Sequence, residues 1–165
     1  MNKRKIIIVT TSVFVLGVLF IHFYLPRIFI EPNNIIVKLI NKTPYKLTPS
    51  AFSLDYNELE VFTKDGIKLS GYKIYSENNK NKGTIIFLHG IRAYKEHFLP
   101  LAKILSQRGF NSVIVDLRGH GASGGTYCTF GHKEKHDIVS VVDAIILDKR
   151  LSKNIGIWGQ SLGGA

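Results

Sequence analysis

The chain has 165 residues, of which 45% are apolar and 11% aromatic, a formal charge of +10 and a single cysteine, Cys128. That apolar content supports a packed core and excludes wholesale disorder, and one cysteine excludes an internal disulfide. Apart from Lys3-Arg4-Lys5, the Lys80/Lys82 loop and Lys149-Arg150 the cations are scattered, with no basic stripe or interleaved aromatics, so no nucleic-acid partner is expected and at most some attraction to an anionic bilayer surface.

Residues 1–5 form a basic lead into Ile6–Leu25, a run without Asp, Glu, Lys or Arg. As a helix it would span about 30 Å, the hydrocarbon thickness of a bilayer. Phe20, Phe23 and Tyr24 lie near its far end, where aromatics favour the interface. A single-pass membrane anchor over residues 6–25 is the expectation. A cleaved signal peptide shares the basic start and apolar stretch, but no small-x-small cleavage site follows, only Pro26-Arg27-Ile28-Phe29-Ile30. A buried soluble helix is the third reading. The basic start puts the N-terminus in the cytoplasm and the following domain on the non-cytoplasmic side, although Arg27, Lys38, Lys42 and Lys46 on the other flank pull against this.

Residues 26–55, punctuated by Pro26, Pro32, Pro44 and Pro49, read as a juxtamembrane connector, and residues 56–165 as the folded domain. Leu59–Thr63 and Ile67–Tyr72 are short strands about Lys64-Asp65-Gly66, a hairpin signal. Ser76–Gly83 is a polar loop, and Thr84–Leu88 a continuous apolar strand of the kind buried on both faces of a parallel sheet. A helix over Lys95–Arg108 follows, with Phe98, Leu101, Ala102 and Leu105 on one face and Gly109 as its stop. Ser112–Asp116 is a second buried-type strand. Glu134–Lys149 is a second helix, with Ile138, Val141, Val142, Ile145 and Ile146 as its apolar face. Asn154–Trp158 is the last strand. Strand–helix–strand–helix–strand implies an α/β fold, a parallel sheet with right-handed crossovers and helices on both faces, preceded by an antiparallel hairpin.

The last strand runs into Gly159-Gln160-Ser161-Leu162-Gly163, which fits G-x-S-x-G. That pattern describes a strand-to-helix turn tight enough to strain the serine backbone and expose its hydroxyl, with glycines where side chains would collide. Two other constellations compete for a function. Gly119-His120-Gly121-Ala122-Ser123-Gly124 fits the dinucleotide fingerprint, but Gly125-Thr126-Tyr127-Cys128-Thr129 follows where a helix should open, and no P-loop pattern occurs. His132 and His136 share a face near a helix start with Cys128 four residues before, yet Lys133 stands where a metalloprotease needs Glu, so they read as solvated residues. Asp137 and Asp143 read as helix-surface or capping carboxylates.

In order along the chain, the antiparallel opening, Phe87-Leu88-His89-Gly90, Asp116-Leu117-Arg118-Gly119-His120-Gly121-Ala122-Ser123 and Gly159-Gln160-Ser161-Leu162-Gly163-Gly164 resemble the α/β-hydrolase superfamily. The resemblance is to its serine-aminopeptidase-like and monoacylglycerol-lipase-like branch, membrane-anchored members included, and covers about residues 55–165. It implies the front half of an α/β-hydrolase domain, with Ser161 as nucleophile. It also implies an oxyanion loop at His89-Gly90, and backbone donors at Ile91 and Leu162. His89 is then a brace for that loop and not the general base. No cofactor or metal is implied, and the substrate class is a small-molecule or lipid-like acyl compound.

In that superfamily the acid and the histidine follow the serine, whereas all six histidines here precede it. The expectation is a truncated hydrolase domain, poorly folded and inactive as 165 residues, with β-structure left unpaired at its last strand. A non-catalytic remnant or binding module of the same fold is the alternative. Oligomeric state is not written in the sequence.

Overall fold

The computed structural model describes residues 3–33, 47–77 and 80–165, in two compact units that divide between Glu31 and Pro32. The first unit holds helices α1 (Lys3–Phe23) and α2 (Leu25–Ile30). Val, Ile and Thr are indifferent helix formers in water, but in hydrocarbon every backbone group must be bonded within the segment. α1 answers that need, and even its Thr10 hydroxyl bonds back to the carbonyls of Ile6 (3.1 Å) and Ile7 (3.0 Å). None of its side chains is buried, and the helical stretch is long and apolar enough to cross a membrane; a signal sequence meets the same description. α1 stops at Phe23 because Pro26 occupies the first turn of α2, where a missing N–H costs nothing. Of the expected connector, residues 26–30 are therefore helical, residues 34–46 lie outside the described residues, and Pro49–Phe52 is a single 3-10 turn.

The second unit is a five-stranded mixed sheet: β1 (Tyr56–Phe62), β2 (Lys68–Ile74), β3 (Thr84–Leu88), β4 (Asn111–Val115) and β5 (Ile155–Gly159), in the order β1-β2-β4-β3-β5. β1–β2 and β2–β4 pair antiparallel, and β3 pairs parallel with both β4 and β5. The fold is an α/β-hydrolase-like mixed sheet, as the motif order implied. Side-chain alternation splits the core in two. Ile86, Leu88, Val113 and Val115 face one side, against Val141 and Ile145 of the last helix, α4 (Glu134–Leu147). Ile74, Phe87 and Ile114 face the other, against Leu99 and Ala102 of α3 (Leu99–Gln107). Each such fully buried side chain stabilises the fold by about 1.5–3 kcal/mol.

Three details depart from the sequence reading. The helix expected from Lys95 opens as a 3-10 turn over Lys95–Phe98 and becomes α-helical only at Leu99, since Pro100 fixes the first α-turn. The later helix ends at Leu147 instead of Lys149, and Ile146 is 52% exposed because it lies beyond the edge of the stripe centred on Val141 and Ile145. Asp137 is no surface carboxylate. It is buried, in a pairing described below.

Candidate active site

β5 lies at the edge of the sheet, and its C-terminal end turns straight into a 3-10 turn over Ser161–Gly164. One backbone bond holds that turn against the end of β3, Gln160 N–H to the Leu88 carbonyl (3.0 Å), and another closes the turn itself, Gly163 N–H to the Gln160 carbonyl (2.9 Å). Ser161 takes φ +51°, a left-handed conformation that a non-glycine residue enters at a cost of roughly 1–3 kcal/mol. Only glycine fits on either side. A Cβ on Gly163 would stand 2.2 Å from the Leu88 carbonyl oxygen, and one on Gly159 2.0 Å from that of Gly163. Ser161 is exposed, and its hydroxyl has no hydrogen-bond partner among the described residues.

The loop after β3 meets this serine. Gly90 packs so closely that a Cβ there would lie 3.3 Å from the Ser161 Cβ and 3.9 Å from its Oγ. Ile91 follows, half-buried, then Arg92 at φ +60°, and Ala93 N–H closes the turn onto the Gly90 carbonyl (3.1 Å). Leu162 is buried in the core beneath Ser161. Among the described residues, neither the Ile91 nor the Leu162 backbone N–H is taken up by another group.

His89 is fully buried with both ring nitrogens engaged. Leu117 N–H donates to Nε2 (3.0 Å), so Nε2 carries no proton, and Nδ1–H donates to the Gly90 carbonyl (2.7 Å). Burial drives its pKa down to about 4, so the ring is neutral at physiological pH. His120 packs edge-on to it, 4.9 Å between centroids. Its Nδ1–H donates to the Arg118 carbonyl (2.9 Å), while its buried Nε2 has no partner among the described residues, and burial lowers its pKa too.

Sequence reasoning missed the charged groups that hold this region. Asp116, fully buried after β4, accepts from Lys95 N–H (2.9 Å), Lys95 Nζ (2.6 Å) and Ala122 N–H (3.0 Å). Burial alone would lower the Lys95 pKa, but the Asp116 carboxylate overrides it and raises it. Gly121, at φ +49°, is required here, because any Cβ would fall 2.2 Å from an Asp116 carboxylate oxygen. Ser123 Oγ donates to the Asp116 carbonyl (2.7 Å) and accepts from Ser70 N–H (2.8 Å). Arg118 forks onto Asp137 through Nε (2.6 Å) and Nη2 (2.5 Å), and onto Asp65 of the β1–β2 turn through Nη1 (3.0 Å) and Nη2 (3.1 Å). Arg118, ahead of Thr63, holds the Asp65 carboxyl well below the usual carboxylate range. The one signal in the sequence was an aspartate, Asp137, in helical register with Val141 and Ile145; nothing in the sequence marked Lys95.

The competing constellations come apart in three dimensions. The N–H groups of Gly119, His120, Ala122, Ser123 and Gly124 all donate within the protein, which leaves the Gly119–Gly124 loop little backbone to offer a phosphate. His132 and His136 are exposed at the start of α4 while Cys128 is buried. Glu134 turns inward, accepting from Thr129 N–H (2.7 Å), Thr129 Oγ1 (2.6 Å) and Gly131 N–H (2.9 Å). A cavity of about 470 Å³ lies beside the elbow, walled by Leu88, Leu117, Ile138, Ile157 and Leu162; Ser161 does not line it.

Comparison with known proteins bears on this geometry. The family model described as serine aminopeptidase, S33, matches residues 79–165. Protein bem46 of Schizosaccharomyces pombe is 31% identical over 121 residues, covering 72% of this chain and 40% of that protein. YqkD of Bacillus subtilis is 28% identical over 155 residues, 93% of this chain and 49% of that one. The chain thus spans less than half the length of these relatives. Among solved structures, the Pyrococcus furiosus esterase Pf2001 superposes with a TM-score of 0.63 at 36% identity, covering 72% of this chain and 47% of that one.

Proposed function

The chain belongs to the serine aminopeptidase (S33) family of α/β-hydrolases, and from that premise we propose that Ser161 is the nucleophile of a hydrolase acting on a carboxylic ester, thioester or amide. The observation that carries this reading is Ser161 itself, exposed at φ +51° with Gly90 packed against it. Ser161 Oγ attacks the acyl carbon as its proton passes to a base, and the carbonyl oxygen becomes an oxyanion. The Ile91 and Leu162 N–H groups receive that charge; a preset donor of this kind contributes about 3–4 kcal/mol to barrier lowering because it need not reorganise. Collapse expels the alcohol, thiol or amine with a proton, and water then releases the acyl group from Ser161. His89 braces the loop and takes no proton, since both its nitrogens are engaged.

The substrate is a small or lipid-like acyl compound. α1 acts as a retained single-pass anchor over the expected span 6–25, with the hydrolase unit on the non-cytoplasmic side, a reading that rests on its apolar length and basic start.

No base bonds the Ser161 hydroxyl among the described residues, so these 165 residues by themselves are proposed to give no turnover. The same observation favours a second reading, a non-catalytic module of this fold. A fluorophosphonate probe separates the two, because it labels only an activated serine. Applied to the protein as its own host makes it, the probe should label Ser161, and Ser161→Ala should abolish the label. The 165-residue polypeptide should hydrolyse a p-nitrophenyl ester no faster than its Ser161→Ala variant. Absence of Ser161 labelling in the host-made protein would sink the catalytic reading.

A further inference from the structure

The loop that carries Ile91 makes few bonds among its own described residues, His89 Nδ1–H to the Gly90 carbonyl being one. Between His89 and Lys95 the described backbone bond is Ala93 N–H to the Gly90 carbonyl, and Arg92 sits at φ +60°. Fixation comes from outside, at both ends, and from two consecutive residues following β4. Leu117 N–H seizes the His89 ring at the start of the loop. Asp116 takes both the backbone N–H and the ammonium of Lys95 at its finish. The same carboxylate takes Ala122 N–H, and its backbone carbonyl takes the Ser123 hydroxyl, so Asp116 is itself immobilised from the far side. His89 Nε2 stands 3.8 Å from Asp116 Oδ1, which brings the two fixings to one point.

A buried ion pair of this kind adds little net stability over an apolar pair of similar shape. What it supplies is a fixed position, and a donor displaced by even about 1 Å loses much of its effect on a developing oxyanion. Resting on the reading of Ser161 as nucleophile and Ile91 as donor, we propose that Asp116 is a positioning residue. Through Lys95 it sets where the Ile91 N–H stands relative to Ser161, without touching the substrate. The assignment also accounts for Gly121, whose missing Cβ makes room for the Asp116 carboxylate.

The experiment uses the host-made protein and compares wild type with Asp116→Asn, with the apolar pair Lys95→Met/Asp116→Leu, and with Asp65→Asn. Asparagine loses the charge that holds the Lys95 ammonium, and with its oxygen placed to accept from Lys95 Nζ and Ala122 N–H its amide NH2 faces the Lys95 backbone N–H, donor against donor. Asp116→Asn should lower kcat on a p-nitrophenyl ester by about 10²-fold, with the fluorophosphonate labelling rate falling in parallel. KM should move by less than about two-fold, the pattern of an interaction made in the transition state. Should Asp116→Asn not fold, the apolar pair replaces it and carries the same expectation. Asp65→Asn, which weakens the Arg118 pairing elsewhere, should leave kcat and labelling at wild-type values. Unchanged kcat in a folded Asp116 variant, or a rise in KM alone, overturns the proposal while Ser161 labelling persists. Loss of labelling in the wild type overturns this proposal together with the reading it rests on.

Discussion

Gly90 and Ser161, 71 positions apart in the chain, meet so closely that a methyl group on Gly90 would sit 3.3 Å from the Ser161 Cβ. The contact follows from β3 pairing in parallel with β5, Leu88 opposite Gly159, so both strands deliver their following loops to the same end of the sheet. Gly90→Ala should therefore act on the serine and hardly on the fold. Its methyl lies 3.9 Å from Oγ, where an incoming carbonyl must approach. We expect fluorophosphonate labelling of the host-made protein to slow by about ten-fold or more while unfolding free energy changes by less than about 1.5 kcal/mol. Labelling at the wild-type rate would show that the contact does not shape the approach to Ser161.

Gly163→Ala should behave in the opposite way. Its Cβ would fall 2.2 Å from the Leu88 carbonyl oxygen, backbone against backbone with no side chain able to yield. The elbow must then lift from β3, breaking the Gln160-to-Leu88 bond. Overpacking of this sort costs about 1–3 kcal/mol, read as a lower urea midpoint with an unchanged slope. A midpoint equal to wild type would mean that the turn is looser than its geometry.

The sheet and the elbow were legible because period-2 and period-3.6 apolar patterns, and a glycine pair about a serine, are local signals. The network behind them was not. Lys95 falls in a stretch that reads as the surface of a helix, and only the tertiary approach of Asp116 shows why it is buried. Asp137 was misplaced for the same reason: a carboxylate in the first turn of a helix ordinarily caps or faces water. Here Arg118, from a loop 19 residues earlier, reaches it. The exposure of Ile146 was also hidden, since spacing marks a stripe but not its width.

The Arg118 fork supplies a third prediction. Asp137 is 1% exposed and Asp65 lies at the surface, so the two carboxylates of one guanidinium should differ sharply in what their partner's loss costs. Arg118→Met strands Asp137 as a buried unpaired charge and should destabilise the fold by about 3–5 kcal/mol. Asp65→Asn leaves the buried half of the fork intact and should shift the urea midpoint far less. Adding Asp137→Leu to Arg118→Met should recover much of the loss, because the stranded charge is then gone. Equal costs for the two single variants in urea unfolding would contradict this division.

The neutral His89 makes stability depend on pH over a defined window. Its pKa is about 4 in the fold and about 6.5 in an unfolded chain, so between these values the unfolded state binds a proton that the folded state refuses. Above pH 6.5 both states are neutral and the histidine contributes no slope. As pH falls from 6.5 toward 4 the unfolded state gains, and stability should drop by up to about 1.4 kcal/mol per pH unit. Burial of His120 acts in the same direction. The carboxyls held low, Asp65, Glu134 and Asp148, begin to lose their contributions only near pH 5 and below, Glu134 first, so they add to the decline at the acid end of this window and the comparison with a His89 variant isolates the histidine's share. Urea unfolding at pH 7, 5.5 and 4.5 should show the decline in wild type and a shallower one in His89→Gln, whose side-chain oxygen still accepts from Leu117 N–H but does not titrate. Identical slopes for the two proteins would mean that His89 protonates as easily in the fold as out of it.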